Sequence, residues 1–294
     1  MKQSALAAAG VGLMGGPVFS TTWKKKEKMG IQLYSIREDM KKDPLGSLKQ
    51  LAGFGYKYVE HANYVDRKFY GYSVKDFKQI LKDLGMEMPS GHTVMRDSHW
   101  DNYKKDFTDE WKYTIEDAAE IGQEVVISPS MGKNVRTDYN ALMKFLDGFN
   151  RCGELCQKSG MRFGYHNHDF EFSESLKGKT LYDIILENTD PGLVIQQLDI
   201  GNMYHAGAKA EDIMDKYPGR FYSLHVKDEI KSEGGNKWES AILGKGVINV
   251  KEMIDLAREK GGTSHFIVEQ EAYQGKEPIA CMKENYDLMK KWGY

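Results

Sequence analysis

Short apolar runs alternate with helical patterns along most of the chain, and this alternation limits the possible folds more than any other feature. We predict eight strands, over residues 29–34, 56–60, 87–92, 124–128, 161–166, 194–199, 221–226 and 266–269. Each run is followed by a segment with apolar residues at helical spacing. Because the alternation is steady and the composition does not change along it, the sequence predicts one (β/α)8 barrel.

The helical segments carry start and stop residues that support this prediction. Asp43 and Pro44 precede residues 45–54 as an N-cap and a first-turn proline, and Gly85 follows residues 74–84. Further helices are predicted at 108–121, 138–158, 181–187, 211–217, 250–260 and 279–291. An open doubly wound sheet is the alternative, but it requires a glycine-rich phosphate turn after an early strand, and none follows the predicted strands.

Composition excludes some classes of partner. The 294 residues include 41 Lys and Arg against 43 Asp and Glu, and the densest basic cluster is confined to residues 24–28. Without a basic surface pattern, we expect no nucleic acid partner. The three cysteines, Cys152, Cys156 and Cys281, are predicted to be core thiols rather than a disulfide framework or a zinc site.

The N-terminal residues form a separate segment. We predict a signal-like segment and linker at 1–28 and a barrel domain at 29–294. A single lysine precedes small apolar residues from Ala5 to Gly16, a pattern typical of a signal peptide. We therefore favour an exported or periplasmic protein, with a cytoplasmic protein as the alternative. No later apolar run approaches the roughly 20 residues of a membrane-spanning helix.

Acidic and imidazole side chains recur where the predicted strands end. They include Glu60, His92, His166, His168, Glu171, Asp199, His225 and Glu269. The carboxyl ends of parallel barrel strands meet on one face, where barrel enzymes carry their active sites. Burying such groups costs free energy unless they are paired or bind a metal, so the pattern predicts a site for Mn²⁺, Zn²⁺, Co²⁺ or Mg²⁺.

Several of these motifs resemble one family. GIQLYSIRED, VEHANY, YHNHDFEF, LDIGN, HVKD and VEQE, in this order between about residues 29 and 292, resemble the sugar phosphate isomerases/epimerases, which are xylose-isomerase-like TIM barrels. The resemblance implies a divalent metal held by His166, Asp199, His225 and Glu269. Many members carry a glutamate in place of His166 and use it with the strand-eight glutamate for proton transfer, so this two-glutamate mechanism does not carry over unchanged.

The resemblance implies proton transfer beside the carbonyl group of a sugar or keto-sugar, in an isomerisation or epimerisation. Candidate catalytic residues are Glu269, Lys227, His168 and Glu171, and candidate substrate-binding residues are Glu60, His92 and Tyr34. A lyase or hydratase that dehydrates a keto-sugar or cyclitol is the first alternative, because it removes the same proton. A non-catalytic carbohydrate-binding barrel is the second. We expect a small carbohydrate as the partner, unphosphorylated if the protein is exported, and an oligomer is compatible with the sequence.

Overall fold

The computed structural model describes residues 27–235 and 237–294. Nearly all of the predicted signal-like segment and linker, residues 1–26, lies outside the described residues, so export stays a prediction. Among the helices of the described part, none is long and apolar enough to cross a membrane.

Eight parallel strands close into a barrel, which confirms the predicted fold class. They are β1 (Lys28–Gln32), β2 (Tyr58–His61), β3 (Glu87–His92), β4 (Val125–Ser128), β5 (Arg162–His166), β6 (Val194–Asp199), β7 (Ser223–Val226) and β8 (His265–Val268). The strands follow one another around the barrel in chain order, and β8 pairs with β1. The first strand is shorter than predicted because the Gln32 side chain accepts a hydrogen bond from the Tyr34 backbone N–H and starts a 3-10 turn.

Eight helices surround the strands. They are α1 (Pro44–Phe54), α2 (Val74–Asp83), α3 (Asp109–Ile121), α4 (Tyr139–Lys158), α5 (Leu181–Asn188), α6 (Ala210–Lys216), α7 (Val250–Leu256) and α8 (Pro278–Lys291). As predicted, Asp43 caps α1 by accepting a hydrogen bond from the Gly46 N–H at 2.9 Å. The single helix predicted at 250–260 is observed as two elements, because α7 is followed by a short π-helix, Ala257–Gly261.

Short elements occupy the loops around the barrel. The single-turn helices are Leu33–Ile36, Arg37–Lys42, Asp97–His99, Lys133–Arg136, Phe170–Ser173 and Ile200–His205. The small antiparallel pairings are Tyr64–Val65 with Lys68–Phe69 and Tyr72–Ser73, Trp100–Asp101 with Asp106–Phe107, Ser175–Leu176 with Lys179–Thr180, and Asp228–Lys231 with Trp238–Ala241. Most of them follow the carboxyl ends of strands, so they shape the face where a barrel carries its chemistry.

The barrel interior contains both apolar and polar side chains. Ile127, Ile195 and Tyr222 belong to one buried apolar cluster. The buried polar side chains of the strands, most of them in the carboxyl-terminal half of their strand, are Gln32, Glu60, Ser90, His166, Gln197, Asp199, Ser223 and His225. The apolar residues on the opposite strand faces pack against the helices, where Cys152, Cys156 and Cys281 are buried free thiols as predicted.

Candidate active site

The structure brings together three side chains from the ends of β6, β7 and β8. Donor atoms of Asp199, His225 and Glu269 lie within 4.8 Å of one another, and all three residues are buried. A second group with the same spacing consists of His92, His166 and His225. The four residues that the family resemblance assigned to a metal therefore converge on one small region of the barrel interior.

Asp199 has one oxygen bound to the backbone and one directed at its charged neighbours. Its Oδ1 accepts a hydrogen bond from the Asn202 N–H at 2.7 Å, because Asp199 caps the helix Ile200–His205. Its Oδ2 is buried and makes no hydrogen bond of good geometry within the described residues. It lies 3.0 Å from Lys227 Nζ and 3.7 Å from His225 Nδ1. A buried carboxylate oxygen with poor hydrogen bonding is suited to binding a cation.

His225 lies between two carboxylates. Its Nε2 is 2.7 Å from Glu60 Oε1, and its Nδ1 is 3.1 Å from Glu269 Oε2. Burial lowers the pKa of His225, but Glu269 and Glu60 outweigh this effect and raise it well above the usual value. Burial likewise opposes the ionisation of Glu60, yet His92 and His225 hold its pKa well below the usual range. Glu60 therefore orients the imidazole ring so that Nδ1 faces the other carboxylates.

Gln197 determines which nitrogen of His166 carries the proton. Its Nε2 donates to Glu60 Oε2 and to Ser223 Oγ, both at 2.9 Å. Because the Glu60 carboxylate can only accept, the amide oxygen must face the histidines, 2.7 Å from His92 Nε2 and 3.0 Å from His166 Nδ1. Both of these nitrogens therefore donate. His166 therefore keeps a lone pair on Nε2, which lies 3.9 Å from Asp199 Oδ2. Burial and the neighbouring His225 and His92 hold the pKa of His166 well below the usual value.

Lys227 places an ammonium group among three carboxylates. Nζ lies 3.0 Å from Asp199 Oδ2, 2.8 Å from Glu269 Oε2 and 2.7 Å from Glu271 Oε1, and the residue is 1% exposed. Burial lowers the pKa of Lys227, but Asp199, Glu269 and Glu271 raise it well above the usual value. Burial raises the pKa of Glu269, but Lys227 and His225 lower it, and together they hold it well below the usual range. With Glu60 included, four carboxylates face one ammonium and one imidazolium, so the site carries excess negative charge.

A cavity of about 290 Å³, which we call the reaction cavity, opens above these groups. It is lined by Tyr34, Ala62, His92, Val94, Pro129, His166, His168, Asn202, Glu269 and Glu271. Its volume is near the lower limit of about 300 Å³ for small-molecule sites. Tyr34, His92 and His168, all predicted from sequence, therefore lie at the cavity, whereas Glu60 and Lys227 lie beneath it.

Glu171 lies apart from the other predicted catalytic residues. It accepts hydrogen bonds from the Tyr165 hydroxyl and, at 2.8 Å, from the His168 N–H. Tyr165 points from β5 into the core between the strands and the helices. This arrangement supports the loop that carries His168, whose ring packs 5.7 Å from the Phe170 ring at an interplanar angle of 11°. Burial lowers the pKa of His168, which favours the neutral imidazole.

We expect Glu171→Gln to remove one pH dependence of stability. Burial raises the pKa of Glu171 from 4.5 to about 8. Between these values the folded protein holds a proton that the unfolded chain releases, so stability falls as the pH rises. Urea denaturation of the wild type should show a loss on the order of 3 kcal/mol between pH 4.5 and pH 8, relative to the variant. Parallel pH curves for the two proteins would contradict this assignment.

Sequence reasoning missed several polar residues of the site. Gln197 is two residues before Asp199, and Ser223 is two residues before His225, so strand periodicity places each pair on one strand face. Asn202 could have been found as the third residue after a capping aspartate, since its N–H meets Asp199. Asn167 also contributes, because its side chain bridges β5 to the backbone N–H and carbonyl of Asp199.

The composition and geometry of this cluster fit a divalent cation. Two carboxylates and one imidazole converge, and a second imidazole presents a lone pair nearby. Asp199 Oδ2 makes no hydrogen bond of good geometry and is paired with the Lys227 ammonium, which a divalent ion would displace. Mixed oxygen and nitrogen donors of this type suit Mn²⁺, Zn²⁺, Co²⁺ and, with more oxygen ligands, Mg²⁺.

Comparison with known proteins gives the family. The model of the xylose isomerase-like TIM barrel family matches residues 48–292. The chain belongs to this family. The family prediction made from the sequence motifs is therefore confirmed.

Individual known proteins are similar to the chain at sequence identities below 30%. The inosose dehydratase of Geobacillus thermodenitrificans is 27% identical over 140 residues, which cover 43% of this chain and 46% of that protein. The chain thus spans about half the length of the curated relatives it matches. A solved sugar phosphate isomerase/epimerase from Parabacteroides distasonis ATCC 8503 is 26% identical with a TM-score of 0.75, covering 90% of this chain and 98% of that one.

A more distant solved member shows the same fold. A xylose isomerase-like TIM barrel protein from Mycobacterium smegmatis, solved in complex with magnesium, has a TM-score of 0.64 at 15% identity. The match covers 90% of this chain and 96% of that one. At this identity the likeness concerns the fold alone.

Proposed function

We propose that the chain catalyses proton transfer beside the carbonyl group of an unphosphorylated sugar or keto-sugar, in an isomerisation or epimerisation that depends on a divalent metal. The convergence of Asp199, His225 and Glu269 beneath an open cavity supports this most strongly. The described lining of the reaction cavity carries Glu269 and Glu271 but no lysine or arginine. Such a lining suits hydroxyl groups and repels a phosphate.

The metal would be held by one oxygen each of Asp199 and Glu269, by His166 through Nε2 and by His225 through Nδ1. His225 would release its Nδ1 proton to solvent when the ion binds. When bound, the ion would polarise sugar oxygens and stabilise the negative charge that develops as a carbon-bound proton leaves. The Glu60 carboxylate would keep Nδ1 of His225 directed at the ligand oxygens, and Gln197 would keep the lone pair of His166 on Nε2.

The proton-transfer groups lie on two walls of the reaction cavity. Glu269, at the end of β8, is an ionised carboxylate and can accept the carbon-bound proton. His168, at the end of β5, is a neutral imidazole whose buried Nδ1 has no hydrogen-bond partner within the described residues. His168 would first take up a proton from solvent and would then, as an imidazolium, return it to oxygen or carbon on the opposite side. Tyr34 and His92 would contact the sugar ring and its hydroxyl groups.

Dehydration is the second candidate function. His166 and His168 lie at the end of β5, where a two-carboxylate epimerisation mechanism would have its second carboxylate. An imidazolium, by contrast, is a suitable acid for a departing hydroxyl group. His168 would again first take up a proton from solvent. Glu269 would then remove the carbon-bound proton while the His168 imidazolium protonates the β-hydroxyl group, which leaves as water as the carbon–carbon double bond forms. The similarity to inosose dehydratases supports this alternative.

Proton NMR in D₂O with a panel of keto-sugars and inososes tests the proposal. Isomerisation or epimerisation should place deuterium on the carbon next to the carbonyl without loss of water, whereas dehydration should give a new alkene signal. Absence of exchange and of dehydration, together with measurable sugar binding, would indicate a non-catalytic carbohydrate-binding barrel and would contradict the proposed function.

We expect Mn²⁺, Co²⁺ or Zn²⁺ to raise the melting temperature of metal-stripped protein, since an ion that binds only the folded state stabilises it. At an ion concentration 100 times the Kd, binding would add about 2.7 kcal/mol to the free energy of unfolding. Differential scanning fluorimetry with EDTA-treated protein measures the shift, and elemental analysis of untreated protein identifies the bound ion. No shift with any of these ions and no bound metal would reject metal dependence.

A further inference from the structure

A second cavity adjoins the reaction cavity on the same face of the barrel. It has a volume of about 370 Å³ and lies between the loops that follow β1 and β2. We call it the Arg37 cavity, after the residue whose guanidinium group stands at its wall. The two cavities share Tyr34 and Ala62 as lining residues, and Tyr34 is 42% exposed. The Arg37 cavity is thus a second space next to the reaction cavity, with Tyr34 and Ala62 at their common border.

We propose that the substrate is a glycoside or disaccharide whose reacting keto-sugar ring occupies the reaction cavity and whose second ring occupies the Arg37 cavity. This inference rests on the proposed function and names its substrate class. Tyr34 borders both cavities and is partly exposed, so the part of its ring that the Arg37 guanidinium does not cover is placed to contact a sugar. An aromatic ring is a suitable surface for the C–H face of a sugar, because it offers apolar area at low entropic cost.

The lining of the Arg37 cavity combines apolar surface with hydrogen-bond donors. Leu33, Met40 and Pro44 supply apolar surface, while Asn63 and Arg37 supply donors. This mixture matches a ring that alternates C–H and hydroxyl groups. Lys41 and Glu38 also line the cavity, so its charges do not by themselves reject a phosphate, and a phosphate ester is included in the test below.

Arg37 is held in place by neutral oxygens. Nη1 donates to the Tyr34 carbonyl at 3.2 Å and to the Tyr273 hydroxyl at 3.1 Å, and the guanidinium carbon lies 4.7 Å from the centre of the Tyr34 ring. Among the described residues, no carboxylate side chain forms an ion pair with it. Arg37 therefore fixes the Tyr34 backbone and ring, and its charge is available to ligand hydroxyl groups.

A third cavity provides the comparison. It has a volume of about 400 Å³, lies between the loops after β3 and β4, and shares only Val94 with the reaction cavity. We call it the Met131 cavity. Exposed asparagines line both side cavities, Asn63 in the Arg37 cavity and Asn134 in the Met131 cavity. Asn63→Trp and Asn134→Trp are therefore matched variants that each fill one side cavity with a bulky ring.

Ligand-observed NMR titration of the full chain with fructose, lactulose and fructose 6-phosphate tests the inference. Lactulose carries a fructose unit with a second sugar attached, so we expect it to bind at least tenfold more tightly than fructose. Asn63→Trp should abolish this preference without weakening fructose, and Asn134→Trp should retain it. Equal affinities, no binding of lactulose, tighter binding of the phosphate ester, or loss of the preference in Asn134→Trp would each overturn the proposal.

Deuterium exchange on the same samples separates this inference from the proposed function. Exchange into the keto-sugar unit without a preference for lactulose would leave the proposed function standing and reject the second-ring site. A lactulose preference that depends on Asn63, without exchange or dehydration, would support the second-ring site and reject the proposed function.

Discussion

Glu269→Gln is expected to reduce deuterium exchange into the substrate by at least about 100-fold, because general acid–base groups contribute roughly 10²–10⁴ to the rate. The amide keeps the size of the side chain but removes the negative charge that faces His225 Nδ1 at 3.1 Å and Lys227 Nζ at 2.8 Å. The barrel should remain folded, since Lys227 keeps Asp199 and Glu271 as partners. Exchange rates by NMR and the thermal unfolding curve provide the two measurements.

Glu271→Gln is the matched control for this variant. Glu271 is two residues after Glu269 and contacts the same ammonium at 2.7 Å, but its side chain is more exposed and lies outside the group of candidate metal ligands. We expect its loss to reduce exchange far less. Retained turnover in Glu269→Gln, or equal losses in the two variants, would show that Glu269 is not the base.

Lys227→Met is expected to destabilise metal-free protein by about 3–5 kcal/mol, because it leaves buried carboxylates without their ammonium partner. A bound divalent ion should restore the lost stability. Lys227 Nζ contacts Asp199 Oδ2 and Glu269 Oε2, the two carboxylate oxygens that would bind the ion. The ammonium and the ion therefore compete, and removal of the lysine should raise the affinity for Mn²⁺ or Zn²⁺ at least tenfold.

Urea denaturation in EDTA and in excess Mn²⁺, together with calorimetric titration of the ion, measures both effects. Lys245→Met is the control, because Lys245 forms an exposed ion pair with Glu284 and should change stability by less than about 1 kcal/mol. If metal affinity and the stability gained from metal are unchanged in Lys227→Met, Lys227 does not occupy the position of the ion.

The positions of the strands could be predicted because the apolar runs are short and the capping residues are distinct. The carboxyl end of each parallel strand faces the same side of the barrel, so the sequence predicts that Asp199, His225 and Glu269 lie close together. The order of the strands also required no further information, since successive βα units place each strand beside the previous one.

The direction of Glu171 could not be predicted in the same way. Glu171 follows β5 within the run YHNHDFEF. Tyr165, His168 and Glu171 are evenly spaced in this run, so the spacing does not indicate which neighbour Glu171 contacts. Its side chain turns to the Tyr165 hydroxyl because the helix Phe170–Ser173 begins directly after Asp169. Residues beyond the end of a strand no longer follow the alternation of strand faces, so only the loop conformation decides which way they point.

The sequence by itself determined the fold class and the set of ionisable groups on one face of the barrel, because both follow from local periodicity and from the parallel arrangement of βα units. Only the tertiary structure decided how these groups pair. The proton position on His166 depends on Gln197 and Glu60, and the place of the Lys227 ammonium depends on carboxylates of two other strand ends. These are contacts between residues distant in sequence, and electrostatic energies depend on distances and burial that no local pattern contains.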